Sequence, residues 1–128
     1  MTTDQSSTPI AGCRAVDHPD AAAYDRRWLV VDEDGQWLDA SRAEDLARIE
    51  IGVRFGYLVL RAPGMLRLDI PMDVIEDDES VVGEARVGTQ AVRVVDEGDL
   101  AAAWLAEMLG RPARLVKIHP EAEPVAWP

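Results

Sequence analysis

The 128-residue sequence predicts an all-β fold: an antiparallel β-barrel-like domain with one α-helix before the last strand. Three observations predict it. Short apolar runs rich in β-branched residues recur at regular spacing, with Gly, Pro or Asp turn residues between them. In the run 65–70, Leu66, Leu68 and Ile70 share one face while Arg67 and Asp69 share the other, the two-residue period of a half-buried strand. Only the segment 99–109 carries both the composition and the punctuation of a helix.

The elements follow in order. Residues 1–8 are polar and rich in Ser and Thr, so a flexible segment is expected there unless a strand captures it. Residues 10–16 are the first candidate strand. Trp28-Leu29-Val30-Val31 is the next, and Asp32-Glu33-Asp34-Gly35 supplies the Asp-Gly turn of a tight hairpin returning through Gln36-Trp37-Leu38. Ser41 is spaced to cap Glu44, which predicts a short helical turn over 41–46, and 47–53 returns to strand-like content. Strands 57–61 and 65–70 join through Ala62-Pro63-Gly64, and Pro71 ends the second. Strands 84–87 and 91–95 turn at Gly88-Thr89-Gln90, with Val92 and Val94 alternating with Arg93.

The helix is expected over Asp99 to Leu109, with Asp96-Glu97-Gly98-Asp99 supplying its cap and first-turn acids. Leu100, Trp104, Leu105, Met108 and Leu109 fall on one stripe, and four alanines between them favour helix. Gly110 is placed for the left-handed turn that closes a helix, and Pro112 forbids continuation. A last strand over 115–118 and an extended tail over 120–128 complete the chain, so the barrel domain spans 9–119.

With 48% hydrophobic and 29% charged residues, the composition is that of one globular domain able to bury its own core. Cys13 is the only cysteine, which excludes an intramolecular disulfide and a cysteine-based zinc site within one chain. The N-terminus has no basic and apolar leader pattern, and no apolar run approaches membrane length, so a soluble cytoplasmic protein is expected. The net charge of −11, from 24 acidic and 13 basic residues, opposes nucleic-acid and membrane partners. Its acids gather at Asp69, Asp73, Glu76, Asp77, Asp78 and Glu79, and again at Asp96, Glu97 and Asp99. They read as solvated surface, because Asp77-Asp78-Glu79 lacks the spacing of a calcium loop.

No catalytic constellation and no metal-ligand set is present in the sequence. His18 and His119 lie far apart, each beside a proline, and are expected at the surface. There is no glycine-rich phosphate loop, no Gly-x-Ser-x-Gly elbow and no Cys-x-x-Cys pair. Cys13 reads as a buried, inert thiol. In Asp25-Arg26-Arg27-Trp28, a guanidinium at the start of a strand is suited to two-point contact with phosphate or carboxylate. Structurally, Asp25 would pair with one arginine, the other would lie over the sheet, and Trp28 would enter the core. Strand alternation sends Arg26 and Arg27 to opposite faces, so the two roles can coexist. Trp28, Trp37, Tyr57 and Trp104 are candidates to line a small-molecule pocket, but a chain with one Phe needs them as core. Trp127 is a candidate contact with another chain.

Pro9, Cys13 and Arg14, the nearly intact segment from Asp25 through Asp32, Ala62-Pro63-Gly64-Met65 and Ala102-Ala103-Trp104-Leu105 together carry a resemblance. Over about 9–118 the chain resembles the N-terminal β-barrel domain that precedes the MOSC domain in molybdenum-cofactor proteins such as amidoxime-reducing components. The resemblance implies a barrel that packs against a MOSC domain with the cofactor between them, and a molybdenum-ligating cysteine in the MOSC part. Cys13 does not match that cysteine. The family's Lys and Ser near the start are replaced by Ala11 and Gly12, and its Thr-Gln-Arg segment by Asp39-Ala40-Ser41. Each charge-assisted hydrogen bond lost would have contributed about 1.5 to 3 kcal/mol. The resemblance therefore leaves Arg26, with Arg14 as a second candidate, as cofactor-binding residues.

The expectation is a stand-alone barrel without its MOSC domain: not an enzyme, binding no cofactor alone, and acting as a non-catalytic binding or interaction module. Two alternatives stand beside it. One is the accessory half of a split molybdenum-cofactor enzyme, docking on a separate MOSC protein with the cofactor as shared ligand. The other is a small anionic ligand binder. All three leave the oligomeric state open.

Overall fold

The computed structural model of the protein describes residues 8–11, 13–15, 26–38, 44–54, 56–71, 82–119, 122 and 125. Gly12, His18, Asp25, Asp39-Ala40-Ser41, the acids from Asp73 to Glu79, and Trp127 lie outside them. The apolar runs become strands of two four-stranded sheets. β1 (Arg14–Ala15), β3 (Glu50–Arg54), β4 (Tyr57–Arg61) and β5 (Leu68–Pro71) form the first, in the order β1-β3-β4-β5. β2 (Trp28–Val31), β6 (Val82–Val87), β7 (Gln90–Asp96) and β8 (Arg114–Ile118) form the second, in the order β2-β8-β7-β6. Among these ladders only β1 with β3 is parallel.

The hairpin after β2 is built as its sequence dictates. Asp32 Oδ1 accepts the backbone N–H groups of Asp34 and Gln36 at 2.9 and 3.0 Å, and Gly35 takes a φ of 79° that a side chain resists. The returning arm does more than pair with β2. Trp37 bridges Val31 on one side, while Gln36 bridges Arg86 of β6 on the other, with Trp37 N–H donating to the Arg86 carbonyl at 2.8 Å. The path β2-β8-β7-β6 thus returns to β2 through two isolated bridges rather than a continuous ladder. This makes the sheet barrel-like.

Burial follows from that closure. Leu29, Val31, Val92, Val94 and Val116 from one face of the second sheet gather with Trp37 into one cluster. The opposite face contributes Trp28, Val30 and Leu115 to the main core, with Ile51, Leu58 and Leu60 of the first sheet and Trp104 and Leu105 of the helix. β2 is consequently buried on both faces, which is why it reads as a continuous apolar run rather than an alternating one.

Several elements differ from their sequence-based expectation. The strand over 10–16 is broken: Ile10 forms an isolated parallel bridge with Trp28, Cys13 N–H turns back to the Ile10 carbonyl at 3.1 Å, and only Arg14–Ala15 continue as β1. The segment crosses from one sheet to the other, so no single straight strand can serve both. The helical turn is a 3-10 turn at Glu44–Arg48, and β3 begins after it at Glu50. Leu66 is 87% exposed and lies before β5, and its carbonyl accepts the Trp104 indole N–H at 2.7 Å. β5 ends at Pro71, where the sequence predicts it to end, with Pro71 as its last residue; β5 lies at the sheet edge, where a missing N–H costs no ladder bond.

The helix α1 spans Asp99–Leu109, and Gly110 closes it at φ 69° with its N–H on the Ala106 carbonyl. Its buried stripe is shifted from the expected one. Ala101, Trp104 and Leu105 face the core, whereas Leu100 is 75% exposed. No side chain caps its N-terminus; Gly98 is the N-cap, and Asp96 instead accepts the Gly98 N–H at 2.7 Å.

Asp96 also binds Arg114, which donates from Nε at 2.6 Å and from Nη2 at 3.0 Å, and Arg114 reaches Asp99 at 2.9 Å. Burial alone would raise the Asp96 carboxyl, but the Arg114 and Gly98 hydrogen bonds outweigh it and hold its pKa below the usual carboxylate range. A carboxyl depressed in the folded state stabilises above its unfolded pKa, about 3.9, and that contribution is lost as pH falls through the lower folded value. Acid titration of stability should therefore fall more steeply below about pH 4 in the parent than in Asp96→Asn, read by urea unfolding at successive pH values. Parallel curves would contradict it.

Candidate functional site

The start of β2 is where the sequence placed its candidate contact group, and the local chain fixes it from two sides. Arg26 N–H donates to the Thr8 carbonyl at 2.6 Å, and Trp28 N–H to the Pro9 carbonyl at 2.9 Å. On the other side Ile118 N–H donates to the Arg27 carbonyl at 2.8 Å. Arg26 and Arg27 are both exposed, and Arg26 has φ 48°, the one non-glycine residue with positive φ among the described residues. Such a backbone costs an ordinary residue about 1 to 2 kcal/mol, and strained residues of this kind concentrate at binding sites.

Arg14 is held elsewhere. Its backbone stands opposite Glu50 in the β1–β3 register, in the first sheet, while Arg26 is anchored beside the second. No described contact joins the two. Ala11 is buried and its N–H is committed to the Trp28 carbonyl at 3.0 Å, so this position supplies no donor where the family pattern has lysine.

Two residues after Arg26, Trp28 anchors a partly buried polar arrangement that sequence reasoning missed. Trp28 is fully buried, its indole N–H donates to Glu97 Oε2 at 2.6 Å, and Lys117 Nζ lies 5.4 Å from its ring centroid. That distance is within cation–π range. Lys117 is itself buried, opposite Trp28 in the β2–β8 register. The signal was available: Lys117 follows Leu115 by two residues in β8 and so shares its core-facing side. Glu97 carried no such signal, because it lies past the end of β7 among acids that read as surface.

The other candidates resolve simply. Burial pushes the Cys13 thiol up to about 12, so it stays protonated and unreactive at neutral pH. His119 is buried rather than at the surface, because its backbone N–H extends the β7–β8 pairing to the Arg93 carbonyl at 3.0 Å. Trp28 and Trp104 are core, Trp37 is partly buried, and Tyr57 is 44% exposed. Among the described residues no group of three or more His, Cys, Asp or Glu is placed to hold a metal ion, and no helix is long and apolar enough to cross a membrane.

The profile of the MOSC N-terminal beta barrel domain matches residues 6–112. The chain is similar to a molybdenum cofactor sulfurase of Danio rerio, 33% identical over 106 residues, which cover 80% of this chain and 13% of that protein. It is also similar to a mitochondrial amidoxime reducing component 2 of Bos taurus, 32% identical over 114 residues, covering 88% of this chain and 33% of that protein. The chain thus spans a third or less of the length of these curated relatives. Among solved structures, the solution structure of a protein of Bordetella bronchiseptica is 52% identical, with a TM-score of 0.83 and 98% of each chain covered.

Proposed function

The chain belongs to the MOSC N-terminal β-barrel domain family, and on that premise we propose that it is a non-catalytic binding module whose contact group is Arg26. The observation that carries this reading is the backbone of Arg26: a non-glycine residue held at φ 48° and exposed, between a fixed N-terminal segment and a buried strand. The cofactor of the two-domain relatives fits this surface poorly. Ala11 is buried with its N–H already bonded, Arg14 is anchored on the other sheet, and one guanidinium is a weak grip for an anionic cofactor. Any such cofactor would be a shared ligand, with most of its contacts supplied by a partner.

The match to molybdenum cofactor sulfurases and amidoxime reducing components favours a second reading, an accessory half that docks on a separate MOSC-domain protein. Arg26→Gly separates side chain from scaffold, since glycine accepts positive φ. We expect stability unchanged or raised by up to about 1 kcal/mol in urea unfolding, with contact function lost. Glycerol 3-phosphate titration, followed by the fluorescence of nearby Trp28, should saturate in the parent and not in Arg26→Gly. Recovery of a MOSC-domain protein from cell extract by the parent alone favours the docking reading. Equal behaviour of the two proteins in both assays would overturn the role of Arg26.

A further inference from the structure

We infer that a second site, for a small phosphate-bearing anion, lies in the cleft between the 3-10 turn and the β3–β4 pair. The cleft has a volume of about 390 Å³ and is lined by Ala47, Arg48, Glu50, Arg61, Ala62 and Pro63. Its chemistry follows from what each side chain lacks. Arg61 ends β4 exposed, and among the described residues its side chain makes no hydrogen bond or ion pair, although Glu50 stands opposite it in the β3–β4 register. Among the described residues the Arg48 side chain is tied to Asp45 alone, at 3.5 Å, with the two side chains 61% and 46% exposed, a geometry of little strength. Ala47, Ala62 and Pro63 line the remaining wall with no competing side-chain donors.

Two arginines lining one concavity suit an oxyanion, since each planar guanidinium can offer paired N–H groups to phosphate. The cleft is thus a local inversion of charge in a chain of net −11. Glu50 is the opposing group: it lines the same cleft, across the ladder from Arg61, and its carboxylate repels the same anion. It therefore sets affinity from the negative side, and neutralising it should strengthen binding. This site shares no residue with Arg26, so the two readings stand or fall separately.

The test is amide chemical-shift titration with inorganic pyrophosphate, with citrate in a parallel arm. Saturable shifts are expected at residues 47–50, 61 and 62. Arg61→Ala and Arg48→Ala should each weaken binding about tenfold or more, the loss of one charge-assisted contact. Glu50→Gln should tighten it several-fold. Arg67→Ala, which removes an exposed arginine paired with Asp69 at 3.0 Å, should change affinity little and so controls for net charge. The inference is overturned by absence of saturable shifts at these amides, or by Arg61→Ala titrating like the parent. Citrate binding as tightly as pyrophosphate would also sink the phosphate assignment.

Discussion

Trp28→Ala is expected to cost about 3 to 5 kcal/mol of stability, a large share of the roughly 5 to 15 kcal/mol that holds a typical domain folded. The indole fills a fully buried position at the start of β2, between β8 and the 8–11 segment, so its removal leaves a large cavity. The same change takes the donor from Glu97 and the ring from Lys117. Trp28→Phe separates the two effects. It keeps most of the packing and loses the 2.6 Å hydrogen bond to a carboxylate, so about 1 to 3 kcal/mol is expected. Urea unfolding should rank the parent above Trp28→Phe, and Trp28→Phe above Trp28→Ala. A phenylalanine variant as stable as the parent would show that the indole bond contributes nothing net.

Leu29→Ala is expected to cost about 2 to 5 kcal/mol, because the adjacent face of the same strand is buried as well. On an ordinary half-exposed strand one of two neighbouring positions faces water and tolerates truncation. Here Leu29 belongs to the cluster enclosed by the second sheet, while Trp28 and Val30 belong to the main core. Leu66→Ala supplies the contrast. That residue is 87% exposed and bonds only through its carbonyl, so the change should stay within about 0.5 kcal/mol. Similar losses in the two variants would mean that the second cluster is not a core.

The features legible in the sequence were those set by local chemistry. The Asp32 turn, the β4–β5 and β6–β7 hairpins and the helix with its Gly110 stop each follow from residues adjacent in the chain. What sequence reasoning missed was set by residues far apart. Leu66 alternates correctly with Leu68, yet it lies outside β5, and Trp104, 38 residues away, claims its carbonyl. Leu100 fits the helical stripe arithmetically, but α1 presents Ala101 and Trp104 to the core instead. Glu97 reads as one more surface acid until Trp28, 69 residues earlier, is placed against it. For the candidate site, the prominence of Arg26 was legible and its positive φ was not. That backbone occurs where Arg26 N–H is bonded to the Thr8 carbonyl, a pairing that no local pattern announces.

The bridges through Gln36 and Trp37 carry a consequence for behaviour in concentrated solution. A bare strand margin is a template on which other chains can stack, and the outward side of β6 would be such a template. Its Arg86 is instead occupied by Gly35 and Trp37 of the same molecule. Loosening that clasp would offer an adhesive rim to neighbouring molecules and invite fibrillar self-association.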